Sequence, residues 1–186
     1  MDDASGECFD KIAKILKLGY PGGVFISKVS EQTRLKNPNY TLEFNLPKPL
    51  INSKDYNFSF SGLKTAVLYL TQRLKKEKKF NKKTIEKICL ETEEVITEVL
   101  TFKTIKLAKE LKAKTIMIAG GVSANKRLRS KFIEKINDEF DFVCPDRLMS
   151  TDNAAMIATA GYYEYLQGKQ DNCLDLEVNP NLTINN

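Results

Sequence analysis

The stretch Thr115-Ile116-Met117-Ile118-Ala119-Gly120-Gly121-Val122-Ser123-Ala124-Asn125 decides the fold. Its first five residues form a short apolar run rich in β-branched side chains, which predicts a buried strand. Gly120-Gly121 then break the chain, and Val122 to Asn125 open a helix that continues to about Ile136. Two adjacent glycines between strand and helix let the backbone come close to a ligand, and the next helix start offers N–H groups to an anion. A tight turn that needs positive φ calls for glycine just as well, and the residues alone leave both uses open. Because Val122 follows the pair, the spacing is not GxGxxG and the dinucleotide fingerprint is absent.

Downstream the plan repeats loosely. Phe140 to Cys144 predicts a strand, and Thr151-Asp152-Asn153 open a helix ending near Gly168. Upstream, apolar residues at Ile85, Ile88, Cys89, Ile96, Val99, Leu100, Leu107, Ala108 and Leu111 predict one long helix from Ile85 to Leu111. Ser61-Gly62 open another helix to about Lys75, the polar stretch Asn37 to Asp55 reads as loop with a short extended piece from Leu42 to Leu46, and the alternation of Tyr56–Phe60 predicts a strand. Asp2 to Leu18 carries a helical stripe with acidic residues at its favourable end and Gly19 as a stop. After the turn Tyr20-Pro21-Gly22-Gly23, a weaker helical segment runs from Val24 to about Glu31. Helix, strand, helix, strand, helix argues for a layered α/β domain.

The 186 residues are 42% hydrophobic and 28% charged, enough for a proper core without disulfide staples. The chain has no histidine, which excludes a Ser-His-Asp triad, an HExxH zinc site and any His proton shuttle within it. Cys8, Cys89, Cys144 and Cys173 form no CxxC pair, and no apolar leader follows Met1, so the expectation is a cytoplasmic protein with reduced thiols. No apolar run approaches the ~20 residues needed to cross a bilayer, so no membrane partner is expected. The net charge of +5 is concentrated in one place. Arg73 to Lys87 holds eight basic residues against Glu77 and Glu86, so the rest of the chain sums to −1. Such a run serves either as a solvated interhelical loop or as a contact for a nucleic-acid backbone. Ser61-Gly62-Leu63-Lys64-Thr65 lacks the glycine before the lysine that a P-loop requires.

Acidic candidates gather at two helix starts: Asp3, Glu7 and Asp10 at helical spacing on the first helix, and Asp152 beside Asn153 on the last. Asp152 has two readings, a helix cap or an oxygen ligand for a metal at a nucleotide's phosphates.

Five segments in order, Asp2 to Lys11, Tyr20-Pro21-Gly22-Gly23, Phe58 to Thr65, Gly120 to Asn125 and Thr151 to Ala158, resemble successive motifs of the TsaD/YgjD family. These are the tRNA adenosine threonylcarbamoyltransferases, formerly called O-sialoglycoprotein endopeptidases. The resemblance covers essentially the whole chain but only the C-terminal half of the family. It implies an α/β fold, the second lobe of an actin-like (ASKHA) ATPase, with a mixed sheet flanked by helices and the N-terminal lobe absent. Residues 1–186 would form one lobe, with a helical subregion about 1–113 and an α/β nucleotide-site region about 114–170. Asp10, Gly23, Gly120, Gly121 and Asn125 match family positions at the substrate or nucleotide, and Asp152 matches the metal-ligating aspartate; no residue of this half is expected to be catalytic. The implied ligands are ATP or threonylcarbamoyl-adenylate and a divalent metal, iron or zinc. The implied partners are the missing N-terminal lobe, tRNA and the family's helper proteins.

The implied reaction is attack on the carbamoyl carbonyl by the exocyclic amine of the adenosine 3′ of the anticodon, with release of AMP. Two metal-binding histidines of the family lie in the absent half, so the isolated chain is not expected to be competent. Asn179-Pro180-Asn181 stands where the family commonly has Arg-Pro-Arg, and Ser27 where some branches carry an acidic residue. The alternatives are a non-catalytic remnant acting as an interaction module, and a lobe of another actin-fold ATPase or kinase.

Overall fold

The computed structural model describes residues 3–169 and Glu177; Asp2, Cys173 and the Asn179-Pro180-Asn181 segment lie outside the described residues. By its internal contacts the chain divides into two units, Met1–Ser150 and Thr151–Asn186. The architecture is mixed α/β: six α-helices and one small parallel sheet among the described residues.

In the first unit, helices α1 (Ser5–Ile15), α2 (Gly22–Lys36) and α3 (Ser61–Lys76) pack with α4 (Lys82–Glu110). Phe9, Ile12, Ile26, Phe60, Leu63, Val67, Ile88 and Ile96 form their shared core. Each such fully buried side chain contributes about 1.5–3 kcal/mol relative to exposure. The 29-residue α4 is the scaffold, as its periodicity predicts, although Leu111 ends up exposed at its C-cap and outside the core. Further along, Ala108 of α4 enters a second core with Ile116, Leu128, Phe132 and Ile136. This core joins β1 (Thr115–Met117), α5 (Lys126–Ile136) and β2 (Asp141–Val143) into a strand-helix-strand unit. The strands pair in parallel, Ile116 opposite Phe142, and the Phe142 ring stacks on Phe132 at 5.2 Å between centroids.

Three expectations are corrected. Tyr56–Phe60 is not a strand, and Leu42–Leu46 stays within the loop expected over Asn37 to Asp55. Their backbone groups are satisfied from α4 instead: the buried Glu91 carboxylate accepts from Phe44 N at 2.9 Å and Leu46 N at 2.6 Å. The buried Lys103 ammonium donates to the carbonyls of Leu50 and Asn57 and to Ser53 Oγ. A residue alternation therefore looks like a strand where two helix charges hold an extended loop. The helix expected at Val24–Glu31 is longer, Gly22 to Lys36, because Arg34 and Tyr40 anchor its end against α4. The helix expected to begin at Val122 begins at Lys126, after a separate 3-10 turn over Gly121–Ala124.

The second unit contains α6 (Ala154–Leu166). Its cap is Asn153, whose side chain accepts from Met156 N at 3.0 Å. No described helix is long and apolar enough to cross a membrane.

Candidate functional site

The chain leaves the C-terminal end of β1 through Gly120, which takes φ 79° and ψ 172°. That backbone conformation lies outside what L-residues with a Cβ readily adopt, so Gly120 is glycine for a conformational reason. A Cβ there would meet no atom within 4 Å, so the space over it is open. Ligands of open α/β sheets collect beyond the carboxyl ends of the strands, where this turn lies. The turn closes with Ser123 N to Gly120 O at 2.9 Å and Asn125 N to Val122 O at 3.0 Å. Within it the Ser123 hydroxyl is buried with no hydrogen-bond partner among the described residues. Both the turn and the open approach are therefore present, and the pair of uses left open by the sequence is not exclusive.

Asn125 is the hub of this region. Its Oδ1 accepts from Leu128 N at 2.8 Å and caps α5. Its Nδ2 donates to Ser27 Oγ of α2 at 2.8 Å and to Glu93 Oε1 of α4 at 2.9 Å. Arg129 draws the turn toward the loop after β2: its Nε donates to Ser123 O at 2.6 Å, and its Nη2 to Pro145 O at 2.7 Å.

Behind the turn stands an ion network that the sequence reading missed. Arg34 Nη2 of α2 bonds Glu93 at 2.7 Å and Glu94 at 3.1 Å. Glu94 also receives Arg127 Nε at 2.8 Å and Lys131 Nζ at 2.9 Å from α5. Burial alone would raise the Glu94 carboxyl, but the hydrogen bonds from Arg127 and Lys131 outweigh it and hold it down at about 2. Charged residues on a long helix read as a solvated face. In the structure every position from Ile88 to Thr97 is buried, so these carboxylates have no solvated side, and nothing in the sequence marks them.

Asp10 and Gly23 meet at the α1–α2 contact. Asp10 Oδ1 accepts the Gly22 N–H at 2.6 Å, and a Cβ added to Gly23 would lie 3.8 Å from Phe9 Cβ. Ser27, one turn on from Gly23, carries the connection to Asn125. The structure thus brings Asp10, Gly23, Gly120, Gly121 and Asn125 into one region of the first unit. Asp152 belongs to the second unit, where it is exposed and Asn153, not Asp152, caps α6. No three metal-ligating side chains come together among the described residues. The buried thiols are not nucleophiles: desolvation pushes both Cys8 and Cys89 up to about 12.

Residues 1–159 match the family model described as tRNA N6-adenosine threonylcarbamoyltransferase. Relatives of that name include one from Thermosipho melanesiensis, 46% identical over 99% of this chain and 52% of its own length. Another, from Fervidobacterium nodosum, is 48% identical over 97% of this chain and 52% of its own length. A third, from Clostridioides difficile, is 40% identical over 99% and 52%. The chain spans about half the length of the curated relatives it matches. With a family match over most of its length and the five motifs in order, the chain belongs to the TsaD family of tRNA N6-adenosine threonylcarbamoyltransferases.

Proposed function

We propose that this chain is the C-terminal lobe of a tRNA threonylcarbamoyltransferase with an actin-like fold, active when an N-terminal half completes the cleft. The observation that carries this reading is the open Gly120 turn at the end of β1, with a buried, unpartnered Ser123 hydroxyl inside it. Gly120 and Gly121 let the adenylate approach the backbone. Asp10 and Asn125 tie α1, α2 and that turn together, and Gly23 at the start of α2 faces the substrate. In the reaction the tRNA adenosine amine attacks the carbamoyl carbonyl, the carbonyl carbon to phosphate oxygen bond breaks, and AMP leaves with its electron pair. The amine's proton passes to solvent or to a base outside this half.

Asp152 is the one residue of this chain proposed to face a divalent metal. A single exposed carboxylate does not make a metal site, so the described residues do not fit one by themselves and no step is assigned through a metal here.

The test is reconstitution with the N-terminal half of the Thermosipho melanesiensis relative, measuring threonylcarbamoyladenosine in tRNA. Asp152→Ala should abolish modification and leave the melting temperature unchanged, since the cap of α6 is Asn153. Modification at the unmutated rate would remove Asp152 from the site. Reconstituted chains that never modify tRNA would favour the interaction-module reading. Calorimetry on the chain alone should show ATP binding weaker than micromolar, because half a cleft encloses little ligand surface.

A further inference from the structure

We infer that the tip formed by the end of α3, the 77–81 turn and the first turn of α4 is a binding surface for the phosphate backbone of tRNA. This rests on the reading of the chain as part of a tRNA-modifying enzyme.

The charge is there and it is free. Arg73, Lys75, Lys76, Lys78, Lys79, Lys82 and Lys83 are all exposed. Lys79 pairs with Glu77, and Lys75 lies over the Phe80 ring at 5.0 Å. Arg73, Lys76, Lys78, Lys82 and Lys83 have no carboxylate in ion-pair reach among the described residues. The contrast is α5, where Lys126, Arg127, Lys131 and Lys135 all sit on glutamates. Unpaired lysines elsewhere among the described residues, such as Lys48, Lys54 and Lys112, are spread along the chain, whereas the five at the tip lie within eleven residues of sequence.

Helix electrostatics separates the two sides of the tip. Arg73, Lys75 and Lys76 lie in the last turn of α3, where the helix dipole favours cations. Lys82 and Lys83 lie in the first turn of the 29-residue α4, where the dipole disfavours them and acidic residues would be stabilising. Two lysines at the wrong end of the scaffold helix weaken the fold. A bound polyanion relieves that repulsion.

Position and shape fit the same partner. Glu93, which holds Asn125, lies 11 residues along α4 from Lys82, an axial distance of ~16 Å. At 3.4 Å per stacked nucleotide, that separation along α4 corresponds to roughly five nucleotides. Beside the tip a cleft of about 590 Å³ takes Lys82 and Lys83 into its lining with Asn39 and Tyr40, alongside the carboxylates of Glu43, Glu86 and Glu91, so the cationic charge it offers a phosphate is that of Lys82 and Lys83. Between Arg73 and Lys87 no large apolar side chain is exposed to enter a lipid surface, so the chemistry favours RNA over a membrane.

The experiment compares the triple variant Lys78→Glu, Lys82→Glu, Lys83→Glu with a control triple of equal charge change, Lys48→Glu, Lys54→Glu, Lys112→Glu. Binding of an unmodified tRNA transcript to the 186-residue chain is followed by fluorescence anisotropy over a salt series. The tip triple should weaken binding at least ~10-fold at 0.1 M salt and reduce the slope of log K on log salt by roughly 2. The control should stay within about 3-fold. The double variant Lys82→Glu, Lys83→Glu should melt no lower than the parent, since glutamate suits the start of α4, and should still lose several-fold in binding, so lost binding there cannot be lost folding. Equal losses in both triples, no loss in the tip triple, or no tRNA binding by the parent chain would each overturn the proposal. So would phosphatidylserine vesicles that bind as tightly as tRNA. The measurement involves neither adenylate nor turnover, so its failure leaves the proposed reaction standing, and a failed reconstitution leaves the tRNA result standing.

Discussion

Glu94→Ala should destabilise the first unit by about 3–5 kcal/mol, the range for removing one partner of a buried ion pair and leaving the other charge uncompensated. Arg34, Arg127 and Lys131 all converge on this carboxylate, and Lys131 is itself buried. Without the carboxylate, Arg34 keeps Glu93 at 2.7 Å, and Lys131 keeps Glu98 at 3.3 Å and the Glu94 carbonyl at 2.9 Å. The charge left uncompensated is therefore Arg127, whose one other carboxylate among the described residues is the exposed Glu134. By contrast, Lys135→Ala removes an exposed pair with Glu98 and should cost less than about 1 kcal/mol. Urea denaturation of the two variants decides the point: similar midpoints would mean that the network contributes no more than a surface pair.

The same residue sets an acid limb. The folded carboxyl is held at about 2, below its ordinary value of 4.5. A carboxylate with a depressed folded value contributes stability that is complete above its unfolded value and is lost as pH falls from there toward the folded one. The window is therefore about pH 4.5 down to about 2, and the contribution is on the order of 3 kcal/mol. Glu94→Gln removes the titrating group, so its stability should be lower at neutral pH and flatter across this window. An unchanged acid slope would assign the limb to other carboxylates.

These two predictions rest on residues whose importance the sequence hid, and the reason is physical. Periodicity exposes elements that bury one face, so α3, α4 and α5 were legible to within a few residues, while β1 showed in its short β-rich run and α6, none of whose residues is buried, in the turn residues at its start. Tyr56–Phe60 was misread as a strand, and the anchoring of the loop before it was invisible, because the backbone partners here are Glu91 and Lys103, more than forty residues away, and local alternation carries no trace of them. The site divides in the same way. Gly120 shows itself because only glycine suits its φ. Glu93, Arg34 and Ser27 do not, because each is an ordinary helix residue until the packing of α2 and α5 on α4 turns it inward. Arg129 lies in that class too, since its role is to bond two loop carbonyls.

Gly22→Ala and Gly23→Ala should act in opposite directions, although the residues are neighbours at the start of α2. A Cβ on Gly22 would stand 2.6 Å from Asp10 Cα, 2.7 Å from Phe9 O and 2.7 Å from Ala13 Cβ. Two of those atoms are backbone, so α1 and α2 must separate, and the 2.6 Å bond from Gly22 N to the Asp10 carboxylate goes with them. Overpacking of this kind costs about 1–3 kcal/mol, and a lost hydrogen bond to a charged acceptor adds about 1.5–3 kcal/mol. On Gly23 the nearest atom is Phe9 Cβ at 3.8 Å, an ordinary contact, and replacing a helical glycine with alanine gains up to about 1 kcal/mol. Thermal melts should therefore place Gly22→Ala several degrees below the parent and Gly23→Ala at or slightly above it. The pair also separates fold from ligand. Gly23 is the position proposed to face substrate, and its alanine variant keeps the fold, so any loss of threonylcarbamoyl-adenylate binding in the reconstituted enzyme reads out contact with the ligand. A Gly23→Ala chain that is stable and binds the adenylate as tightly as the parent would leave Gly22, through Asp10, as the glycine this turn requires.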